Sequence, residues 1–290
     1  MGPNGVQSAA AAGAGLSAAA VTLRYPGLDL PVVREITAHI ATGAVTVIVG
    51  PNACGKSTLL RAFGRIQRPD AGRVTLDGKA VGDYGPKEFA RAVAFLPQSA
   101  AAPDGITVGD LVARGRFPHQ GMLRQWSEAD EQAVLGALKR TRTEDLADRR
   151  MAELSGGQRQ RVWIAMVLAQ QTGILLLDEP TTYLDLAHQL EVLELCRELN
   201  QVHGTTVVAV LHDLNQAARY ADHIIAMAAG RIIAQGAPEA VITSTTVREA
   251  FGVSVHVLPD PATGTPLVVP VAGTHARHVP RPAPAGPATP

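Results

Sequence analysis

Short apolar runs, closely spaced over the first hundred positions, predict strands at 21–25, 32–40 and 45–49. Residues 56–63 read as a helix directly after the third run. The stretch 73–76 followed by Asp77-Gly78 predicts a hairpin edge, and 93–96 a strand that stops at Pro97-Gln98. Residues 106–171 change character and are expected to be mostly helical. Ser127-Glu-Ala-Asp130 is a capping start for a helix through Arg140, and another helix is expected from near Ser155 to about Gln171. Unbroken apolar runs return at 174–177 and 206–211, the pattern of strands covered on both faces. Between them a helix should carry Leu186, Leu190, Leu193 and Cys196 on one stripe and end at Gly204. Strand–helix–strand alternation of this kind implies an α/β fold with a mostly parallel sheet.

Composition narrows the class. With 290 residues and 46% hydrophobic content, the chain can bury one large core or two closely packed ones. Lys plus Arg equals Asp plus Glu at 26 each, so no overall basic field draws it to nucleic acid. Cys54 and Cys196 lie far apart and give neither a disulfide framework nor a metal spacing, which fits a reducing cytosol. Residues 8–20 are nearly all Ala, Gly and Ser with no basic residue before them, as in a disordered lead-in rather than a signal. No run of 18 strongly apolar residues occurs, so any membrane spans must come from other subunits. The expected organisation is a disordered lead-in at 1–16, a folded unit at 17–272 whose helical portion covers about 100–171, and a disordered Pro/Ala-rich tail at 273–290. His275 and His278 in that tail are read as solvated.

Two strings carry the chemistry. Gly50, Pro51, Asn52, Ala53, Cys54, Gly55, Lys56, Ser57 and Thr58 follow an apolar strand, the pattern of a phosphate-cradling loop on a strand-to-helix turn. Backbone N–H groups there would point at a β-phosphate, Lys56 would add a cation near the β- and γ-phosphates, and the Ser57 hydroxyl is placed for Mg²⁺. Ala53, where Gly is more frequent, is expected to be tolerated at a negative φ. Cys54 reads as a tolerated small side chain, although an amide-rich loop can lower a thiol's pKa. About a hundred residues later stand Leu154, Ser155, Gly156, Gly157 and Gln158. That string has no role inside an isolated phosphate loop and makes sense only across a nucleotide from one. At typical residue frequencies the loop pattern arises by chance in roughly 1% of chains this long, and the second string is rarer. Together they predict ATP bound by paired chains.

Asp178 and Glu179 end the apolar run at 174–177, where open parallel sheets bind nucleotides. Asp178 is expected to reach Mg²⁺, and Glu179 to polarise the attacking water as general base. His212 follows the next apolar run and should hold γ-phosphate, water and Glu179 in register. Gln98, at another strand end, can touch Mg²⁺ and the water while moving with the helical portion. Tyr25, expected on an early strand, is either core or a platform for adenine.

With these residues in place, the chain resembles the ATP-binding subunits of ABC transporters over roughly 17–270. The resemblance implies a P-loop NTPase fold: a RecA-like parallel-sheet core, an antiparallel β subdomain and a helical subdomain. It makes Tyr25 the adenine-stacking aromatic, Gly50 to Thr58 the Walker A loop, Gln98 the Q-loop, and Leu154 to Gln158 the signature motif. Asp178 and Glu179 become Walker B with its catalytic glutamate, Asp185 the D-loop and His212 the switch histidine. Ser57, Gln98 and Asp178 would serve Mg²⁺. Two copies would face head to tail, Ser155 and Gly157 of one holding the γ-phosphate bound by the other. Tyr183, where Ser or Ala is common, implies a differently packed seam.

A narrower resemblance, to ferric siderophore importers, rests on Gly50 to Thr58, on Arg114-Gly-Arg-Phe-Pro-His-Gln120, and on Thr181-Thr-Tyr-Leu-Asp-Leu-Ala-His-Gln189. Related importers carry haem or vitamin B12. It implies permease subunits in the membrane, a separate substrate-binding protein, and a peripheral place on the cytoplasmic face. A soluble ABC-type ATPase is an alternative, but neither a long coiled coil nor tandem cassettes mark the chain. A nucleotide sensor that does not hydrolyse would not need Glu179 and His212, and a P-loop kinase leaves Leu154 to Gln158 unexplained.

Overall fold

The computed structural model describes residues 15–27, 29–121, 126–182 and 184–271. Its strands begin with β1 (Gly15–Leu23), β2 (Val33–Ala41), β3 (Val45–Val49), β4 (Ala71–Leu76), β5 (Lys79–Ala80) and β6 (Val93–Leu96). They continue with β7 (Ile174–Asp178), β8 (Thr206–Val210), β9 (His223–Ala228), β10 (Arg231–Gly236), β11 (Val255–Pro259) and β12 (Pro266–Pro270). The helices of the first half are α1 (Lys56–Phe63), α2 (Pro86–Ala92), α3 (Val108–Ala113), α4 (Glu128–Arg140) and α5 (Gly156–Ala169). Those of the second are α6 (Leu186–His203), α7 (Leu214–Tyr220), α8 (Pro238–Val241) and α9 (Ser244–Phe251).

A six-stranded sheet runs in the order β10-β9-β3-β8-β7-β6. All its pairings are parallel except β9 with β10. The strands β3, β7 and β8 are buried at every position, as runs of Val, Ile and Leu covered on both faces require. One face packs through Ile48, Leu176, Val208 and Ile225 against α1 and a second, antiparallel sheet of order β2-β1-β4-β5. The other buries Val47, Leu177 and Ala209 beneath α5, α6 and α7. A third cluster joins α3, α4 and α5 through Leu111, Val134, Leu138 and Val162. Inside it, Arg116 donates to Asp130 at 2.9 Å with both side chains buried. The Ser127 hydroxyl, then Arg116, hold the Asp130 carboxyl down at about 2 against the opposing effect of burial.

Several expectations are met element by element. Asp77 and Gly78 both adopt positive φ between β4 and β5, the hairpin turn their types favour. Ser127 and Asp130 form the capping box of α4, Ser155 and Gln158 that of α5, and Gly204 ends α6 at φ 65.

Others are corrected. Residues 15–20 are not lead-in: they open β1, with Leu16 and Ala18 buried. Ala-rich sequence has weak strand preference, but β1 pairs with β2 on one side and β4 on the other, so neighbours meet its backbone needs. Gly72 permits the approach, since a Cβ there would lie 2.2 Å from the Ala20 carbonyl oxygen. Tyr25 lies just past the end of β1 rather than on it. The buried stripe of α6 comprises Val192, Leu193, Leu195, Cys196 and Leu199, whereas Leu186 in the first turn is 67% exposed. The expected tail and Tyr183 lie outside the described residues. Among the described residues no helix is long and apolar enough to cross a membrane.

Candidate active site

The register of the parallel strands brings the candidate residues to one level. Ile48 of β3 and Asp178 of β7 both pair with Val210 of β8, so the phosphate loop, Glu179 and His212 leave the sheet side by side. Leu96 pairs with Leu177, which sets Gln98 opposite Glu179 two positions on. A cavity of about 760 Å³ opens there, and Tyr25, Asn52 to Thr58, Gln98, Glu179 and His212 all line it.

The phosphate loop is shaped by close approach. A Cβ on Gly50 would lie 2.2 Å from the Met227 carbonyl oxygen of β9, so only glycine fits. Lys56 is buried, and its ammonium donates to the carbonyls of Gly50 and Pro51 at 2.9 Å each, which pins the cation across the loop. The Tyr25 hydroxyl lies 3.1 Å from the Thr58 hydroxyl, placing its ring at the edge of the cavity. Ala53 departs from expectation: its φ is 59, in the left-handed region, where an L side chain costs roughly 1–2 kcal/mol. The loop's curvature outweighs that local preference. Cys54 is buried, and burial pushes its thiol up despite Lys56 beside it. Burial of this kind works against thiolate formation, and hence against reactivity.

Glu179 is the best-held side chain of the site. Gln98 Nε2 donates to its Oε2 at 2.6 Å, the Thr182 hydroxyl donates to the same oxygen at 3.1 Å, and His212 Nε2 lies 2.8 Å from Oε1. Its backbone sits at φ 53, a strain of a kind that collects at functional sites. Thr182 escaped the sequence reading, because nothing local distinguishes it from its neighbour Thr181. Asp178, next door, is fully buried, and neither carboxylate oxygen has a hydrogen-bond partner among the described residues. Burial pushes its carboxyl up, opposed by the nearby Ser57 hydroxyl and by Arg61, whose guanidinium stands 3.7 Å away.

Leu154 to Gln158 and Asp185 do not line this cavity. Ser155 accepts from the Gln158 amide and caps α5, with Ser155 and Gly156 exposed at the helix start. Gly157 is buried instead: a Cβ there would sit 2.5 Å from His188 Cδ2. Asp185 caps α6 and holds that imidazole, 2.7 Å from Nδ1. His188 is a second residue the sequence did not single out, since its contact with Gly157 joins separate helices.

The arrangement is a cavity lined by the loop Asn52 to Thr58, with a carboxylate fixed at its lip by three side chains. The ABC transporter family profile matches residues 33–182, 150 of the 290. The chain belongs to the ABC transporter family. This ABC protein is 52% identical over 243 residues to the ferric enterobactin transport ATP-binding protein FepC of Escherichia coli (strain K12), covering 84% of the chain and 90% of FepC. It is 50% identical over 250 residues to the achromobactin transport ATP-binding protein CbrD of Dickeya dadantii (strain 3937), covering 86% and 92%. A metal-chelate type ABC transporter solved in an inward-facing conformation superposes with a TM-score of 0.78 at 29% identity, over 90% of this chain and 98% of that one. So does the dimeric cassette MJ0796 bound to ADP and Pi, with a TM-score of 0.68 at 29% identity, over 77% and 98%. This ABC protein is an ATPase and binds ATP.

Proposed function

We propose that this ATPase powers import of a ferric siderophore through separate membrane-spanning subunits, working peripherally at the cytoplasmic face. The observation that carries the reading is the Glu179 carboxylate held by Gln98, Thr182 and His212 beside the Lys56 loop. The import reading is supported by the likeness to FepC and CbrD, both transport ATP-binding proteins for siderophores.

In this reading the loop amides and Lys56 bind the β- and γ-phosphates, and Tyr25 stacks on the adenine. Glu179 takes a proton from the attacking water, the bond from γ-phosphorus to the ADP oxygen breaks, and phosphate and ADP leave. His212 keeps Glu179 and the γ-phosphate in register. Mg²⁺ fits the residues present: the oxygens of buried Asp178 accept no hydrogen bond among the described residues and have Arg61 only at 3.7 Å, and the Ser57 hydroxyl and Gln98 amide complete an oxygen-rich set suited to it. When bound, Mg²⁺ neutralises charge on the phosphates.

The second half of the pocket comes from a second copy, head to tail. Ser155 and the amide end of α5 face outward, and the exposed Leu186 gives the contact an apolar component. Opening and closing of that pair follows ATP, because the triphosphate bridges both copies and the products do not. Gln98 passes the change to the membrane subunits. Exposed Arg114 and Phe117, with Trp126, line a groove of about 560 Å³ available to them. A substrate-binding protein would deliver the chelate from outside.

The test is ferric siderophore uptake in a strain lacking this chain, complemented by the wild type or by Glu179→Gln. Uptake restored by the wild type alone supports the reading. Restoration of haem or cobalamin uptake in its place, or of none, contradicts it.

A further inference from the structure

The string from Thr181 to Gln189 marked a lineage in the sequence but had no task in the chemistry. The structure gives its last residue one. Gln189, in the first turn of α6, turns its amide nitrogen to two backbone carbonyls: Leu184 at 3.0 Å and Thr181 at 3.4 Å. Those acceptors fix the orientation of the amide, because a carbonyl cannot donate. Gln189 Oε1 is therefore left facing outward as an acceptor. Gln216 fills it, its Nε2 donating at 2.8 Å.

Gln216 stands in the first turn of α7, four residues after His212. Its backbone N–H donates to Asp213 at 2.9 Å, so its position is tied to the residue next to His212. On the other side, Thr181 adjoins Thr182, which donates its hydroxyl to Glu179. Beyond the backbone pairing of β7 with β8, two side-chain paths thus join the Glu179 loop to the His212 turn. One is the direct contact between Glu179 and His212 at 2.8 Å. The other runs from Thr182 and Thr181 through Gln189 and Gln216 to Asp213. Both glutamines are half-buried and neither lines the ATP cavity.

We infer that the Gln189–Gln216 bridge is a positioning pair for hydrolysis, holding the Glu179 loop and the His212 turn at a fixed separation. Backbone pairing fixes the two strand ends, but the loop and turn beyond them depend on side-chain ties, and a second tie away from the first limits how far either can swing. The pair acts through Glu179 and His212 and touches no nucleotide. The inference rests on the ATPase activity and not on which chelate is imported.

Gln216→Met and Gln189→Met keep length and bulk while removing the hydrogen bond, and Gln216→Lys restores a donor. Steady-state ATP hydrolysis by the full-length chain should show kcat lowered roughly three- to tenfold in each Met variant, the rate equivalent of one net hydrogen bond. KM for ATP should stay within about twofold, because no nucleotide contact is lost. The double Met variant should be no slower than the slower single, as two residues acting through one bond are not additive. Gln216→Lys should recover most of the lost kcat. A merely structural pair would instead lower the thermal midpoint by more than about 4 °C without separating kcat from KM, and Gln216→Lys would not recover the rate. That pattern, additive single effects, or an unchanged kcat in Gln216→Met would each overturn the inference.

Discussion

His212 and Glu179 face each other at 2.8 Å across the ends of two adjacent parallel strands. The contact follows from register: β7 and β8 pair through Asp178 and Val210, so the next residues of each strand emerge together. Gln98 reaches the other carboxylate oxygen from β6 at 2.6 Å. Three strand ends therefore meet on one carboxyl group, and Glu179 is placed by backbone pairing of the strands that lead to it.

Glu179→Gln keeps the shape of that group and removes its basicity. Phosphate release should fall by about 10²–10⁴-fold, the usual share of a positioned base. ATP binding, followed by a fluorescent analogue, should be retained.

Asp178 couples activity and stability in opposite senses. Its carboxyl is buried without hydrogen-bond partners among the described residues, and burial raises its pKa in the folded state. A raised acid binds protons more tightly when folded, so stability falls as pH rises from the unfolded value through the folded one. Asp178→Asn removes the buried charge. Without divalent cations its thermal midpoint should exceed that of the wild type at neutral pH, while hydrolysis is lost. Chelating divalent cations should likewise stop hydrolysis in the wild type.

Ala53 sits at φ 59 in the phosphate loop. Ala53→Gly relieves that strain but adds freedom to the unfolded chain, worth about 0.4–1 kcal/mol. Stability should change by less than about 1 kcal/mol, with ATP affinity equal or better. Ala53→Val, branched at Cβ where φ is positive, should weaken ATP binding and lower the thermal midpoint.

Arg116 and Asp130 form a buried ion pair that anchors α4. Asp130→Asn leaves the guanidinium without its carboxylate, held only by the Ala169 carbonyl and Gln171, and denaturant unfolding should show a loss of about 3–5 kcal/mol. The Asp130 carboxyl is held down at about 2. Its contribution is therefore complete above the unfolded value of roughly 3.9 and is lost only as pH falls toward 2. Between pH 5 and 8 the wild type should show no pH dependence from this pair.

What the sequence discloses, and what it hides, follows from the range of each interaction. Gly50 to Ser57 and Asp178-Glu179 are legible because strand, turn and helix start lie within a dozen residues and each type answers a local demand. Gln98 and His212 are legible as strand-end residues, and register then brings them to Glu179. The strand at 15–20 is illegible because alanines carry no strand pattern; its structure comes from β2 and β4, distant in sequence. Ala53 misleads for a related reason: its φ is set by the loop's closure around Lys56. Thr182, His188 and Gln189 are ordinary residues until folding places Glu179, Gly157 and Gln216 beside them.

The pairing of two copies about ATP is tested by crosslinking Asn52→Cys in one chain to Ser155→Cys in another, in the Glu179→Gln background. Both positions are exposed, whereas native Cys54 and Cys196 are buried and give little background. A head-to-tail pair predicts a crosslink between chains that forms with ATP and fades without it. No crosslink with ATP, or the same yield in its absence, would contradict a pocket shared between two chains.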